Sequence, residues 1–149
     1  MPESLTVAVR QMRAEDTTSV AALTTQLGYP ATEDEIRRRY DLIKDRWDAR
    51  LFVAQHAGNV IVGWIHVQAT YLLECDARAE IWGLVVADTA RGTGVGRRLV
   101  EAAEEWALMR GLDVIVLRSN YLRTEAHGFY EHLGYKITKT QNAFRKNLT

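Results

Sequence analysis

Residues 80–117 read EIWGLVVADTARGTGVGRRLVEAAEEWALMRGLDVIVL. The stretch opens with a Val-, Ile- and Trp-rich run, passes through alternating glycines, and then changes period. Residues 80–87 have the composition of a strand. From 94 to 110, Val95, Leu99, Ala102, Ala103, Trp106 and Ala107 recur at helical spacing and form one apolar stripe. Gly111 follows where left-handed backbone commonly ends a helix. Residues 114–117, VIVL, are the short continuous apolar run expected of a strand buried on both faces. Strand, helix, strand is a βαβ unit, so the two strands should be parallel with a right-handed crossover.

Working outward, residues 5–12 alternate as a strand, and Val20, Leu23 and Leu27 mark a helix over 14–27 stopped by Gly28-Tyr29-Pro30. Thr32 followed by Glu35 is a capping box for a second helix reaching about residue 47. Residues 52–55 and 60–67 read as strands joined around the hairpin turn Gly58-Asn59. Beyond the βαβ unit, 124–133 reads as a short helix, with closing strands at 135–138 and 143–146. The expected fold is α/β: a mixed, mostly antiparallel central sheet with one parallel βαβ unit, flanked by helices on both faces. No internal repeat, linker or low-complexity end interrupts the chain, so residues 1–149 are expected to form one domain.

Composition narrows the function classes. With 149 residues and 47% hydrophobic content, the chain can build a proper core. A formal net charge of zero argues against a nucleic-acid binder. Its one basic run, Arg37-Arg38-Arg39, is bracketed by Glu33, Asp34, Glu35, Asp41 and Asp45, the pattern of a solvated helix face. A single cysteine, Cys75, the lack of any run of ~18 apolar residues, and an N-terminus without a signal pattern lead to the expectation of a soluble, cytoplasmic protein that does not enter membranes. His56, His66, His127 and His132 show no metal-ligand spacing, and no metal is expected.

The loop Arg91-Gly92-Thr93-Gly94-Val95-Gly96 carries the chemistry. Glycines there admit close approach of a ligand, and backbone N–H groups at a helix N-terminus suit a pyrophosphate. Arg97 and Arg98 in the first helical turn oppose the helix dipole, a cost a bound polyphosphate would offset. No Lys-Ser/Thr follows the glycines as in a phosphate loop for nucleotide triphosphates, and the dinucleotide fingerprint fails because Arg97 stands where glycine is required. A nucleotide-binding module is therefore the weakest reading.

What remains is R/Q-x-x-G-x-G/A, matched by Arg91, Gly94 and Gly96. Downstream, AHGFYEHLGY at residues 126–135 is similar to A-x-x-F-Y-x-x-x-G-[FY]. Together, in this order around the helix and the VIVL run, the two motifs resemble those of the GNAT superfamily of N-acetyltransferases. The resemblance covers essentially the whole chain, with its specific motifs between Glu80 and Tyr135. It implies acetyl-CoA as co-substrate, a primary amine on a small molecule or protein as acceptor, and direct transfer. Homodimers are frequent in the family and are an open option.

By the same resemblance, Arg91, Gly92, Thr93, Gly94, Val95, Gly96 and Arg97 would hold the pyrophosphate. Backbone groups of Leu84, Val85 and Val86 would hold the pantetheine arm and the thioester carbonyl, and Asn120 would contact the arm. Tyr130 would protonate the departing thiolate. Glu80, eleven residues before Arg91, stands where some members place a general base. Other readings stand beside these. Tyr130 shares a helix face with Ala126, Phe129 and Leu133 and also fits an aromatic at the edge of a core. Glu80 also fits a surface carboxylate at a strand end, and Asn120 a turn residue. A non-catalytic acyl-CoA sensor is the alternative for the whole chain.

Overall fold

The computed structural model describes residues 6–119 and 124–149. The chain divides into two compact units, residues 1–117 and 118–149. In the first, β1 (Ala8–Gln11), β2 (Ala49–His56), β3 (Val60–Thr70), β4 (Arg78–Val86) and β5 (Ile115–Leu117) form one sheet in chain order. The first four are antiparallel, and β4 and β5 are parallel. Helices α1 (Thr17–Gln26), α2 (Glu33–Ile43) and α3 (Val95–Met109) complete the unit. The crossover through α3 is the βαβ unit read from residues 80–117.

The sheet has an α3 face and an α1 face. Gly63 lies under α3: a Cβ there would stand 2.9 Å from Leu99 Cδ1, 3.0 Å from Val85 O and 3.4 Å from Val95 Cγ1. Leu99 and Val95 are buried and have nowhere to retreat. Gly63→Ala should therefore cost about 2 kcal/mol and lower Tm by roughly 4–8 °C in a thermal melt. On the opposite face the Trp64 indole lies over Gly83, where a Cβ would fall 2.8 Å from the ring. Trp64 Nε1 donates to Thr24 Oγ1 on α1 at 3.0 Å, tying that helix to the sheet. Met12, Val20, Val53 and Ile61 form a buried cluster against which Ile36 and Tyr40 of α2 pack.

Local chemistry sets the ends of these elements. Thr32 Oγ1 accepts from Glu35 N (3.1 Å) and Glu35 Oε1 accepts from Thr32 N (3.0 Å), the capping box read from the sequence. The arginine run on α2 is a solvated face, with Arg37 paired to Asp41 and Arg39 to Glu35. Gly58 and Asn59 both take positive φ, 77° and 62°, as the tight hairpin between β2 and β3 requires.

Three expectations need correction. The second helix stops at Ile43 rather than near Trp47, because α2 buries no residue and Trp47 is itself exposed. The VIVL run is half-buried rather than buried on both faces: Val114 is exposed, and among the described residues β5 pairs with β4 alone, as an edge strand. In the second unit, α4 (Thr124–His132) forms as read, but residues 135–149 contain no strand and are almost wholly exposed. A segment becomes a strand only when a neighbour takes its hydrogen bonds, and among the described residues of that unit none does so.

Candidate functional site

The parallel ladder between β4 and β5 is short. It joins Ala79, Glu80 and Ile81 to Ile115, Val116 and Leu117 and ends there. Trp82 is the extra residue of a bulge, since His66 pairs with Gly83 while Val67 pairs with Ile81. Past the bulge β4 stays paired to β3 through Leu84, Val85 and Val86, but has left β5. Its outward backbone groups over that stretch are open to a ligand, and bulges commonly re-aim a strand beside a site.

This open edge runs through a short turn (Asp88–Ala90) into the glycine loop. Gly92 and Gly94 have φ of 75° and 91°, left-handed conformations that favour glycine. Gly94 is the N-cap of α3, and no side chain caps it. The first intrahelical bond at this end runs from Arg98 N to Gly94 O at 3.1 Å. The N–H groups of Val95, Gly96 and Arg97 therefore point out of the helix end with no intrahelical acceptor, beside the positive end of a 15-residue helix dipole. A pyrophosphate fits this donor set. A Cβ on Gly94 would meet no protein atom within 4 Å and would project into open space.

The loop arginines are already engaged. Arg91 pairs with Asp88 at 3.3 Å and Arg97 with Glu101 at 2.9 Å, both exposed, while Arg98 Nη1 donates to Val7 O. Thr93 Oγ1 donates to Ala90 O, bracing the turn. Gly94→Ala should thus act mainly through the left-handed backbone, costing about 1 kcal/mol of stability and at least about tenfold in acetyl-CoA affinity by calorimetry.

Glu80 is the third residue of β4 and is 2% exposed, so it is no surface carboxylate. It lies opposite Gln68 on β3 and Val116 on β5. The pairing register puts Trp64, His66, Gln68 and Thr70 of β3 on the α1 face together with Arg78 and Glu80 of β4. Burial pushes the His66 imidazole below its ordinary 6.5; a hydrogen bond with Gln68 opposes that shift and the charge of Arg46 adds to it. His66 and Arg78 were not singled out from the sequence. Polar residues at period two after Trp64 were the available signal for His66, and nothing local marks Arg78.

Tyr130 lies on α4 in the second unit, half-buried, its ring against Phe129 (centroids 5.1 Å) and Tyr135 (6.0 Å). Ala126, Phe129, Tyr130 and Leu133 are all half-buried, the shared face read from their spacing. Asn120 lies outside the described residues. A shallow recess in the first unit is lined by Gln11, Tyr40, Ile43 and Leu51. Among the described residues no helix is long and apolar enough to cross a membrane.

Comparison with known proteins agrees with this geometry. A family model described as Acetyltransferase (GNAT) family matches residues 8–135. Aminoalkylphosphonate N-acetyltransferase from Salmonella typhimurium is 33% identical over 136 residues, covering 86% of this chain and 84% of that protein. A transcriptional regulator from Bacillus halodurans C-125 superimposes with a TM-score of 0.83 at 26% identity, covering 95% of this chain and all of that one. An aminoglycoside N-acetyltransferase in complex with CoA has the same fold, with a TM-score of 0.83 at 21% identity and 98% coverage of both chains. With its β4 edge, its glycine loop and these matches, the chain belongs to the GNAT family and is an acetyl-CoA-dependent N-acetyltransferase.

Proposed function

We propose that residues 1–149 act as one catalytic domain that moves acetyl directly from acetyl-CoA to a small primary amine. The observation that carries this is the β4 edge left by β5 beyond Ile81, together with the uncapped start of α3 that follows it. Residues 91–97 hold the pyrophosphate on their N–H groups. Asn120 contacts the pantetheine arm. Those backbone groups of Leu84, Val85 and Val86 that face away from β3 receive the thioester carbonyl and the arm, an N–H stabilising the carbonyl oxygen as it gains negative charge. Glu80 takes the proton from the acceptor's ammonium, freeing the nitrogen lone pair to form the new C–N bond. As the C–S bond breaks, Tyr130 gives its phenolic proton to the sulfur, so that CoA leaves as the thiol, and the second proton shed by the nitrogen as it becomes the amide restores the phenol.

The family match spans both units, which supports reading the chain as one domain. The activity of the Salmonella relative supports a small amine as acceptor rather than a protein. Calorimetry with acetyl-CoA, with ATP and NAD as controls, tests the cofactor assignment: saturable binding of acetyl-CoA alone is expected, and its absence from folded protein would remove the loop reading. Glu80→Gln tests the base. It should lower kcat about 10²-fold or more at neutral pH with the acetyl-CoA Kd unchanged, and the deficit should shrink as pH rises and the free amine fraction grows. An equal deficit at every pH would assign Glu80 a structural role instead.

A further inference from the structure

The α1 face of the sheet changes character past Trp64. Trp64 anchors α1 through Thr24, but the residues beyond it on the same face are His66, Gln68 and Thr70 on β3 and Arg78 and Glu80 on β4. A sheet face beneath a helix would ordinarily be apolar. Here it carries a cation, a carboxylate, an imidazole, an amide and a hydroxyl.

Two of these groups have buried nitrogens with no hydrogen-bond partner among the described residues, His66 Nε2 and Arg78 Nε. Buried polar atoms are nearly always paired, so two orphans on one face call for an account. Arg78 forms no ion pair among the described residues; its Nη1 makes only a long contact of 3.9 Å with Cys75 Sγ. A half-buried guanidinium without a carboxylate has been taken partly out of water uncompensated, and an anion would supply what it lacks.

Arg78 and Glu80 are two residues apart on one strand, so they share a face with Cα atoms roughly 7 Å apart. We infer that the acceptor is an amine that also carries an anionic group, held by the Arg78 fork, while its ammonium faces Glu80. The inference rests on the assignment of Glu80 as base. A carboxylate or phosphonate two or three bonds from the amine matches the span. Gln68, opposite Glu80, and Thr70, opposite Arg78, then flank the two charges on the neighbouring strand.

The test compares three acceptors of similar length with wild-type protein: 2-aminoethylphosphonate, β-alanine and n-propylamine. At least one anionic amine should exceed n-propylamine in kcat/KM by about 100-fold or more, since n-propylamine leaves the half-buried guanidinium unpaired. Arg78→Gln should abolish that preference, mainly through KM, leaving n-propylamine turnover and the acetyl-CoA Kd within about twofold. If Arg78→Gln does not fold, Arg78→Lys keeps the charge and loses the fork, and about a tenfold loss confined to the anionic acceptors is expected. Equal use of all three amines by wild type would overturn the inference. So would a uniform loss in the folded variant, or acetyl-CoA binding with turnover of none of the three. Failure to bind acetyl-CoA at all would instead count against the cofactor site.

Discussion

Replacing Tyr130 by Phe should lower kcat by about 10² to 10⁴-fold while leaving acetyl-CoA affinity unchanged. The substitution removes one oxygen and keeps the ring, so the edge-to-face contacts with Phe129 and Tyr135 survive and α4 should remain intact. What is lost is the proton donor. A phenol with the ordinary pKa of ~10 is protonated throughout the neutral range, and a departing thiolate is a poorer leaving group than a thiol. Thiol-release kinetics measure the first quantity and calorimetry the second. A Phe variant retaining a third or more of wild-type kcat would mean that solvent protonates the sulfur and that Tyr130 serves only as an aromatic contact.

The second large effect concerns stability. Asp16 follows β1 at the head of α1 and is 5% exposed. Its carboxylate accepts from Arg10 Nη1 and Nη2 at 2.8 Å each and from Arg13 N at 2.7 Å. Arg10 Nε also donates to Gln55 Oε1 at 2.7 Å, so one bidentate pair joins β1, β2 and the start of α1. Asp16→Ala would strip Arg10 of its counter-charge and leave the Arg13 N–H unsatisfied. Removing one partner of a buried pair costs about 3–5 kcal/mol, which corresponds to a Tm lower by about 10 °C or more.

The pH dependence of this effect has a definite sign. Burial pushes the Asp16 carboxyl up, but the hydrogen bonds from Arg10 and Arg13 N and the charges of both arginines together outweigh it and leave the group below its ordinary 3.8. A depressed carboxylate contributes stability that is fully present above the unfolded value and is lost as pH falls through the lower folded value. The Tm difference between wild type and Asp16→Ala should therefore be constant at neutral pH and narrow only below about pH 4. A difference that vanished already at pH 6 would assign the effect to another group.

Much of the architecture was legible because it rests on short-range rules. The stripe from Val95 to Ala107, the capping box of Thr32 and Glu35, the Gly58-Asn59 turn and the left-handed glycines of the 91–94 loop each depend on residues within a turn or two of one another. The family motifs are legible for the same reason, since both are contiguous. The misreadings fell where pairing partners decide. Residues 135–138 alternate as a strand does and 143–146 were read as one, but among the described residues neither has a strand to pair with, and the VIVL run sits at an edge.

Sequence by itself thus determined the strand–loop–helix–strand unit, the left-handed glycine loop and the membership of the family, because periodicity, glycine placement and contiguous motifs are local properties of the chain. Only the tertiary structure decided that β4 leaves β5 after Ile81, that Glu80 is buried, that His66 and Arg78 share its face, and that Arg10 reaches Asp16. Each of these depends on register between strands or on the packing of a distant side chain. A single-residue bulge such as that at Trp82 reverses which side chains face together beyond it, and no local pattern encodes where that reversal falls.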